Sequence, residues 1–266
     1  MRKVFTVNRR LFALPYVIFM LLFVVLPLVM ILVGAFQAND GSFSFEKVVS
    51  FFNNKTALRN LWFSIEMGFA TTAICLLIGY PASLILSRMD SKRSAFIALL
   101  FVLPMWINML LRTLGTKTLL VLLGSDMGVS AVLFGLVYNF LPFMIMPIYT
   151  TLSNMDKSFV EAAQDLGAKP MTVLFKTVVP LSFPGIVSGV TMVFVPTIST
   201  FVITSMLSRG NVNMFGDLIY QYFMGNTQNV GVGSVMSIVM LILVLISNFI
   251  LNRFSDNSAV SKGGVW

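Results

Sequence analysis

A chain of 266 residues that is 57% hydrophobic and only 11% charged is not a pair of soluble domains, because an average globular protein is about a quarter charged. Its 25 Phe and 18 Met exceed what a water-facing fold of this size hides, and its apolar runs have helix length, which excludes the alternating strands of an outer-membrane barrel. The absence of histidine removes imidazole metal sites, Ser-His-Asp triads and histidine proton switches; the one cysteine, Cys75, allows no intrachain disulfide, and the net charge of +8 reads as basic flanks of membrane helices, not a nucleic-acid surface.

Six apolar stretches follow in chain order, at 11–36, 61–86, 95–111, 130–151, 186–207 and 230–251. Each is near the ~20 residues that cross a ~30 Å hydrocarbon core. The first follows Arg2, Lys3, Arg9 and Arg10, as a signal peptide would, but its apolar part is too long for one and no small-x-small site closes it. It is expected to be an uncleaved span. Around 95–128, Arg112 and Lys117 interrupt an apolar region that has the makings of a re-entrant segment. Placing the N-terminus in the cytoplasm puts 12 of the 18 Lys and Arg inside and 6 outside. The positive-inside bias then predicts an all-α integral membrane protein of six transmembrane helices, both termini cytoplasmic, folded as a single domain over 1–266.

Two connections are longer than linkage requires: an inner loop at about 153–184 and an outer loop at about 208–229. In the inner loop, Ser158 followed by Glu161 predicts a capping box, Gly167 suits the left-handed residue that ends a helix, and Pro170 suits the first turn of the next. That second helix is expected to end at Pro180 and Pro184, before the fifth span. Ala162 and Ala163 leave a small-sided surface that another backbone can approach. The residues alone fit either a docking hairpin or an amphipathic hairpin lying on lipid headgroups.

Among the predicted spans the one ionisable side chain is Glu66. A carboxylate at mid-bilayer costs about 2.5–3.5 kcal/mol on insertion scales, so it should face a cavity, a partner helix or headgroup water. Trp106, Asn108 and Arg112 form a polar patch near the end of the third stretch, where Trp also serves as an interfacial anchor. In the outer loop, Phe215, Leu218, Ile219 and Tyr222 recur at helical spacing, with Asp217 and Gln221 off that face. Gly185 and Gly189 form a G-x-x-x-G pair in the fifth stretch, suited to close contact with another subunit or within the chain.

Glu161-Ala162-Ala163, then Gly167, then Pro180, resembles the EAA loop of bacterial ABC importer permeases, with Thr177 and Val179 where that family usually has apolar Ile and Leu. Six spans with this loop after the fourth match the family's compact, MetI-like architecture. The resemblance implies that Glu161, Ala162, Ala163, Asp165, Gly167 and Pro180 couple the chain to a separate ATPase subunit. The chain has no G-x-x-x-x-G-K-[ST] phosphate loop, so ATP and Mg are assigned to that partner, with no cofactor or metal on this chain, which is expected not to be an enzyme. Pro104-Met105-Trp106-Ile107-Asn108 through Arg112, and Leu141-Pro142 through Pro147-Ile148-Tyr149, resemble the spermidine/putrescine permeases. That likeness implies a polyamine substrate, a second permease subunit, a pair of ATPase subunits and an extracytoplasmic binding protein, in a bacterial inner membrane. Glu66, Trp106, Asn108, Asp217, Tyr220, Tyr222 and Phe223 are the expected substrate path or outer gate, since aromatic faces and scattered carboxylates suit a chain of spaced ammonium groups. Import of another solute (ferric ion, thiamine or sulfate) stays open as an alternative. A secondary transporter fits less well, since those usually carry several intramembrane ionisable ligands.

Overall fold

The computed structural model describes residues 9–37, 41–225 and 229–260. In chain order, α1 (Arg9–Met20) passes through a π-helical turn (Leu21–Val25) into α2 (Leu26–Phe36). Then come α3 (Glu46–Asn53), α4 (Lys55–Arg88), α5 (Ser91–Val102), α6 (Met109–Leu122) and α7 (Val129–Ser153). The loop helices α8 (Ser158–Asp165) and α9 (Pro170–Val173) lead through a second π turn (Leu174–Val178) into α10 (Val179–Ser199). The chain closes with α11 (Val202–Leu207), α12 (Phe215–Met224) and α13 (Val230–Val260). Apart from one bridge between Gln37 and Phe43, the described residues hold no extended pairing.

Among the described residues, five helices are long and apolar enough to cross a membrane: Leu14–Phe36, Lys55–Arg88, Val129–Ser153, Pro170–Ser199 and Val230–Arg253. A further pair, Lys92–Trp106 and Met109–Leu122, is apolar enough when taken together but bent by 96° at its break, the geometry of a broken sixth span or of the re-entrant segment expected there. These bounds correct the sequence-based ones in two places. The inner-loop helix does not stop at Pro180 and Pro184; it runs unbroken from Pro170 to Ser199. A π turn just before Pro180 closes i to i−5 bonds, with the Val179 amide donating to the Leu174 carbonyl, and so absorbs the donor that proline lacks. The fifth span accordingly ends at Ser199, and residues 202–207 form the separate α11. The bent pair also takes in Arg112 and Lys117, so Glu66 is not the lone ionisable side chain between span ends.

The chain divides into two compact units, Met1–Leu58 with Ile219–Leu241, and Arg59–Leu218 with Ile242–Trp266. In the first, Phe36, Phe43 and Phe45 form a ring cluster with centroids 5.1–5.6 Å apart, and Phe51 is buried. The second is built on α10 packed along α7. Gly185 and Gly189 make that contact possible: a Cβ at 185 would lie 2.5 Å from Thr151 Oγ1 and 2.9 Å from the Pro147 carbonyl oxygen, and one at 189 would lie 3.1 Å from the Met144 carbonyl oxygen. The G-x-x-x-G pair is therefore used within the chain. Span hydroxyls fold onto the carbonyl one turn back, as Thr72 does to Gly68 (2.7 Å) and Thr197 to Val193 (2.7 Å), which satisfies them where water is absent. A few reach across helices instead. Ser83 donates to the Ile145 carbonyl (2.9 Å), Tyr80 pairs with Ser182 (3.1 Å), and Ser94 pairs with Tyr149 (2.7 Å).

Candidate functional site

The inner loop is a helix, a tight turn and a helix, closed by backbone bonds. The Gly167 amide donates to the Gln164 carbonyl (2.8 Å) and the Ala168 amide to the Ala163 carbonyl (3.1 Å). That reciprocal pair is a Schellman motif, with Gly167 at φ +77° as its left-handed residue. The start of α8 differs from expectation. Ser158 and Glu161 form no capping box; the carboxylate of Asp156 accepts the Ser158 amide (2.9 Å). Bonds from Ser158, backbone first and side chain second, hold the Asp156 carboxyl below the usual carboxylate range. The signal was readable, because an Asp two residues ahead of the helix can make the same Asx turn.

On the finished loop, Glu161, Ala162, Asp165 and Gly167 are exposed, Ala163 is half-buried against the core, and Pro180 is exposed on α10. Large apolar side chains accompany them: Leu166 is 89% exposed and Phe159, Met171 and Phe175 are exposed too. A surface of this kind, apolar and carried on a polar loop, suits contact with a protein partner or with lipid headgroups.

The bent pair makes the second feature. A 3₁₀ turn (Leu103–Trp106) and two extended residues separate α5 from α6. Asn108 caps α6, its side-chain oxygen accepting the Leu110 amide (2.8 Å). Arg112 spans the corner by donating from Nη1 to the Pro104 carbonyl (3.1 Å), and its guanidinium lies 5.8 Å from the Tyr138 ring centroid. Trp106 projects from the corner, 77% exposed. The P-x-W-x-N-x-L-x-R pattern is therefore a corner motif: proline carbonyl, asparagine cap, arginine brace and presented indole.

Glu66 is on the exposed face of α4, with Trp62 one turn before it and Phe69 one turn after. Two residues back, on the buried face, Ser64 accepts the Phe215 amide through Oγ (2.7 Å) and fastens the start of α12. Asp217 belongs to the same fastening. Sequence periodicity put it on the polar side of an amphipathic helix, but its carboxyl is 4% exposed and accepts the Met214 amide (2.9 Å), reaching back from the third helical position. Burial raises its pKa to about 7, opposed by that amide and by the nearby Thr204 hydroxyl, which does not reach full hydrogen-bond geometry. Gly216 seats the turn against α10, where a Cβ would lie 2.7 Å from the Ser199 carbonyl oxygen.

The remaining expected gate residues belong to the other compact unit. Tyr220 is half exposed, while Tyr222 accepts a hydrogen bond from Asn54 Nδ2 (3.4 Å) and, with Phe223, lies against Gly233 of α13. The structure thus joins Trp106 to Asn108 on one corner, places Asp217 in a buried helix start, and sets Tyr222 and Phe223 in packing roles. Sequence reasoning missed Ser64 and Asp156. Asp156 was open to an Asx-turn reading, whereas Ser64 acts on an amide that only the fold brings to it.

Residues 79–259 match the family model of the binding-protein-dependent transport system inner membrane component. The chain is 33% identical over 257 residues to the spermidine/putrescine transport system permease protein PotB of Haemophilus influenzae, covering 88% of this chain and 89% of that protein. It is 32% identical over 248 residues to PotB of Escherichia coli, covering 85% and 90% respectively. Among solved structures, the fold is similar to that of an inward-facing MetNI methionine ABC transporter, with a TM-score of 0.60, 21% identity, and 76% of this chain and 95% of that one covered. It is also similar to that of a bacterial alginate ABC transporter in complex with an alginate pentasaccharide-bound periplasmic protein, with a TM-score of 0.65, 15% identity, and 92% and 94% covered.

Proposed function

Since the chain belongs to the family of binding-protein-dependent transport system inner membrane components, and is a multi-pass permease subunit of such an ABC importer, we propose that its substrate is a polyamine such as spermidine or putrescine. The observation that carries this reading is the kinship with the PotB permeases, which runs through most of both chains. The corner motif at Pro104–Arg112 supports it, because an exposed indole beside polar backbone suits a flexible polycation.

In this reading a secreted binding protein delivers the polyamine to an outer gate formed with a second permease subunit. Trp106, Asn108 and Glu66 belong to the path, and Asp217, Tyr220, Tyr222 and Phe223 to the path or its outer gate. A pair of ATPase subunits, which hold ATP and Mg, dock on the α8 loop through Glu161, Ala162, Ala163, Asp165 and Gly167. Their closure moves the loop, and the helix carrying Pro180 passes the motion to the membrane. Both termini and the α8 loop are cytoplasmic, as the bias of Lys and Arg favours. No bond is made or broken by this chain, and the coupling is mechanical.

Uptake of radiolabelled spermidine by the four-component importer in proteoliposomes tests the proposal. ATP-dependent uptake that excess putrescine suppresses, and thiamine or sulfate does not, is the expected result. Uptake of thiamine, sulfate or ferric ion with no spermidine transport overturns it.

A further inference from the structure

A cavity of about 410 Å³ opens between the end of α4, the end of α7 and α8. Its volume is in the range of small-molecule sites. It is lined by two cations, Arg88 and Lys157, and two carboxylates, Asp156 and Glu161, with Gln164 beside them. Arg88, Lys157 and Glu161 take part in no ion pair or side-chain hydrogen bond among the described residues, and Asp156 bonds only to Ser158. The deeper wall is apolar, formed by Leu84, Leu152 and Val178.

Position and charge together narrow the ligand. Arg88 and Ser153 are the last residues of their spans, so the cavity opens at the ends of two membrane-crossing helices, on the side where headgroups lie. Equal numbers of cations and carboxylates match a zwitterion. A purely anionic headgroup would leave Asp156 and Glu161 facing phosphate, and a polyamine would face Arg88 and Lys157. The choice between primary and quaternary amine follows from the lining too. No aromatic residue lines the cavity to cage a trimethylammonium, whereas two carboxylates and an amide oxygen accept hydrogen bonds from a primary ammonium.

We propose that this cavity binds the phosphoethanolamine headgroup of a membrane phospholipid, phosphate on Arg88 and Lys157 and ammonium on Asp156 and Glu161, with its glycerol against the apolar wall. The bound lipid ties the start of α8 to the ends of two spans. Its effect on transport rests on the role given above to the α8 loop; its binding does not.

The test compares the intact importer with an Arg88→Gln/Asp156→Asn variant, in which asparagine keeps the helix cap while the charge is lost. Native mass spectrometry of importer released from ethanolamine-, choline- and glycerol-phospholipid nanodiscs should show a retained ethanolamine lipid on the wild type alone. In ethanolamine-containing liposomes, uptake should exceed that in choline-containing ones several-fold for wild type and equally little for the variant. Displacement of the lipid signal by soluble phosphoethanolamine, with unchanged uptake, would assign the site to a free metabolite and overturn the lipid. Equal lipid retention by both proteins would overturn the site; retention on the wild type alone with equal uptake in both membranes would overturn its effect on transport. Lipid retention without ATP-dependent polyamine uptake in any membrane would leave the site standing and remove the polyamine reading.

Discussion

Gly167 holds φ at +77° in a turn where a Cβ would meet nothing within 4 Å, so space is not what requires glycine there. The backbone is. An L-residue in that conformation costs roughly 1–2 kcal/mol, and a carboxylate at the end of α8 opposes the helix dipole by a further ~0.3–1 kcal/mol. Gly167→Asp should leave the amount of chain in the membrane unchanged while uptake falls at least about tenfold and the ATPase no longer co-purifies, since about 1.4 kcal/mol is a factor of ten. Uptake and co-purification at the normal level would remove α8 as the docking element. Asp217 makes a different prediction. Its folded-state pKa of about 7 is above the value of an open-chain carboxyl, so between roughly pH 4 and pH 7 the folded helix start holds the proton that the open one has released. The anchor of α12 is therefore firmest in acid, weakens as pH rises through that window, and is level above it. Hydrogen exchange at Met214 and Phe215, corrected for intrinsic rate, should show that slope, and Asp217→Asn should flatten it. Gly167 was legible in the sequence because the turn residue carries its own conformational signature. Asp217 was not, because helical periodicity assigns a face without saying which side the rest of the protein covers.

The contact of α10 with α7 depends on glycine at 185 and 189. A Val at 185 would have to displace the Pro147 carbonyl and the Thr151 hydroxyl, which itself bonds to that carbonyl (2.9 Å), so neither neighbour can yield freely. Gly185→Val should lower stability by about 1–3 kcal/mol, seen as a lower unfolding temperature of the detergent-solubilised protein. An unchanged unfolding temperature would mean that the two helices do not meet there. The helices themselves were readable, since length and hydropathy bound a span without reference to tertiary structure. Their prolines misled. Pro180 and Pro184 are helix breakers in water, yet a π turn and the neighbouring helices carry them here. Conversely, the break at Ile107 and Asn108 follows a proline at 104 whose carbonyl ties the corner, and Arg112 and Lys117 beyond it had already marked the region as irregular.

At the scale of the whole molecule, the five long spans and the bent pair were legible as apolar stretches in chain order, and the orientation rests on the bias of basic residues. Cysteine labelling decides it. Lys169→Cys should react with an impermeant maleimide in inside-out vesicles and not in intact cells, and Asn211→Cys the reverse, with buried Cys75 silent in both. The opposite pattern would place α8 outside and end its role as an ATPase contact. The substrate is the least legible property, because path residues named from sequence such as Asn108 and Asp217 are engaged with backbone amides, and a spacing pattern carries no record of such neighbours.

The π turn at Leu174–Val178 sets a phase as well as a path. Each residue of an α-helix turns the chain by about 100°, so the extra residue of a π turn offsets every face of α10 against α9 by that angle. Helix α9 and the membrane span share one rod but not one angular zero. In the proposed coupling, a torque that α9 takes from α8 reaches α10 on a different side from the one it left. The mutation that would disturb this most changes no side-chain chemistry at all: it is the loss of a single residue from the turn.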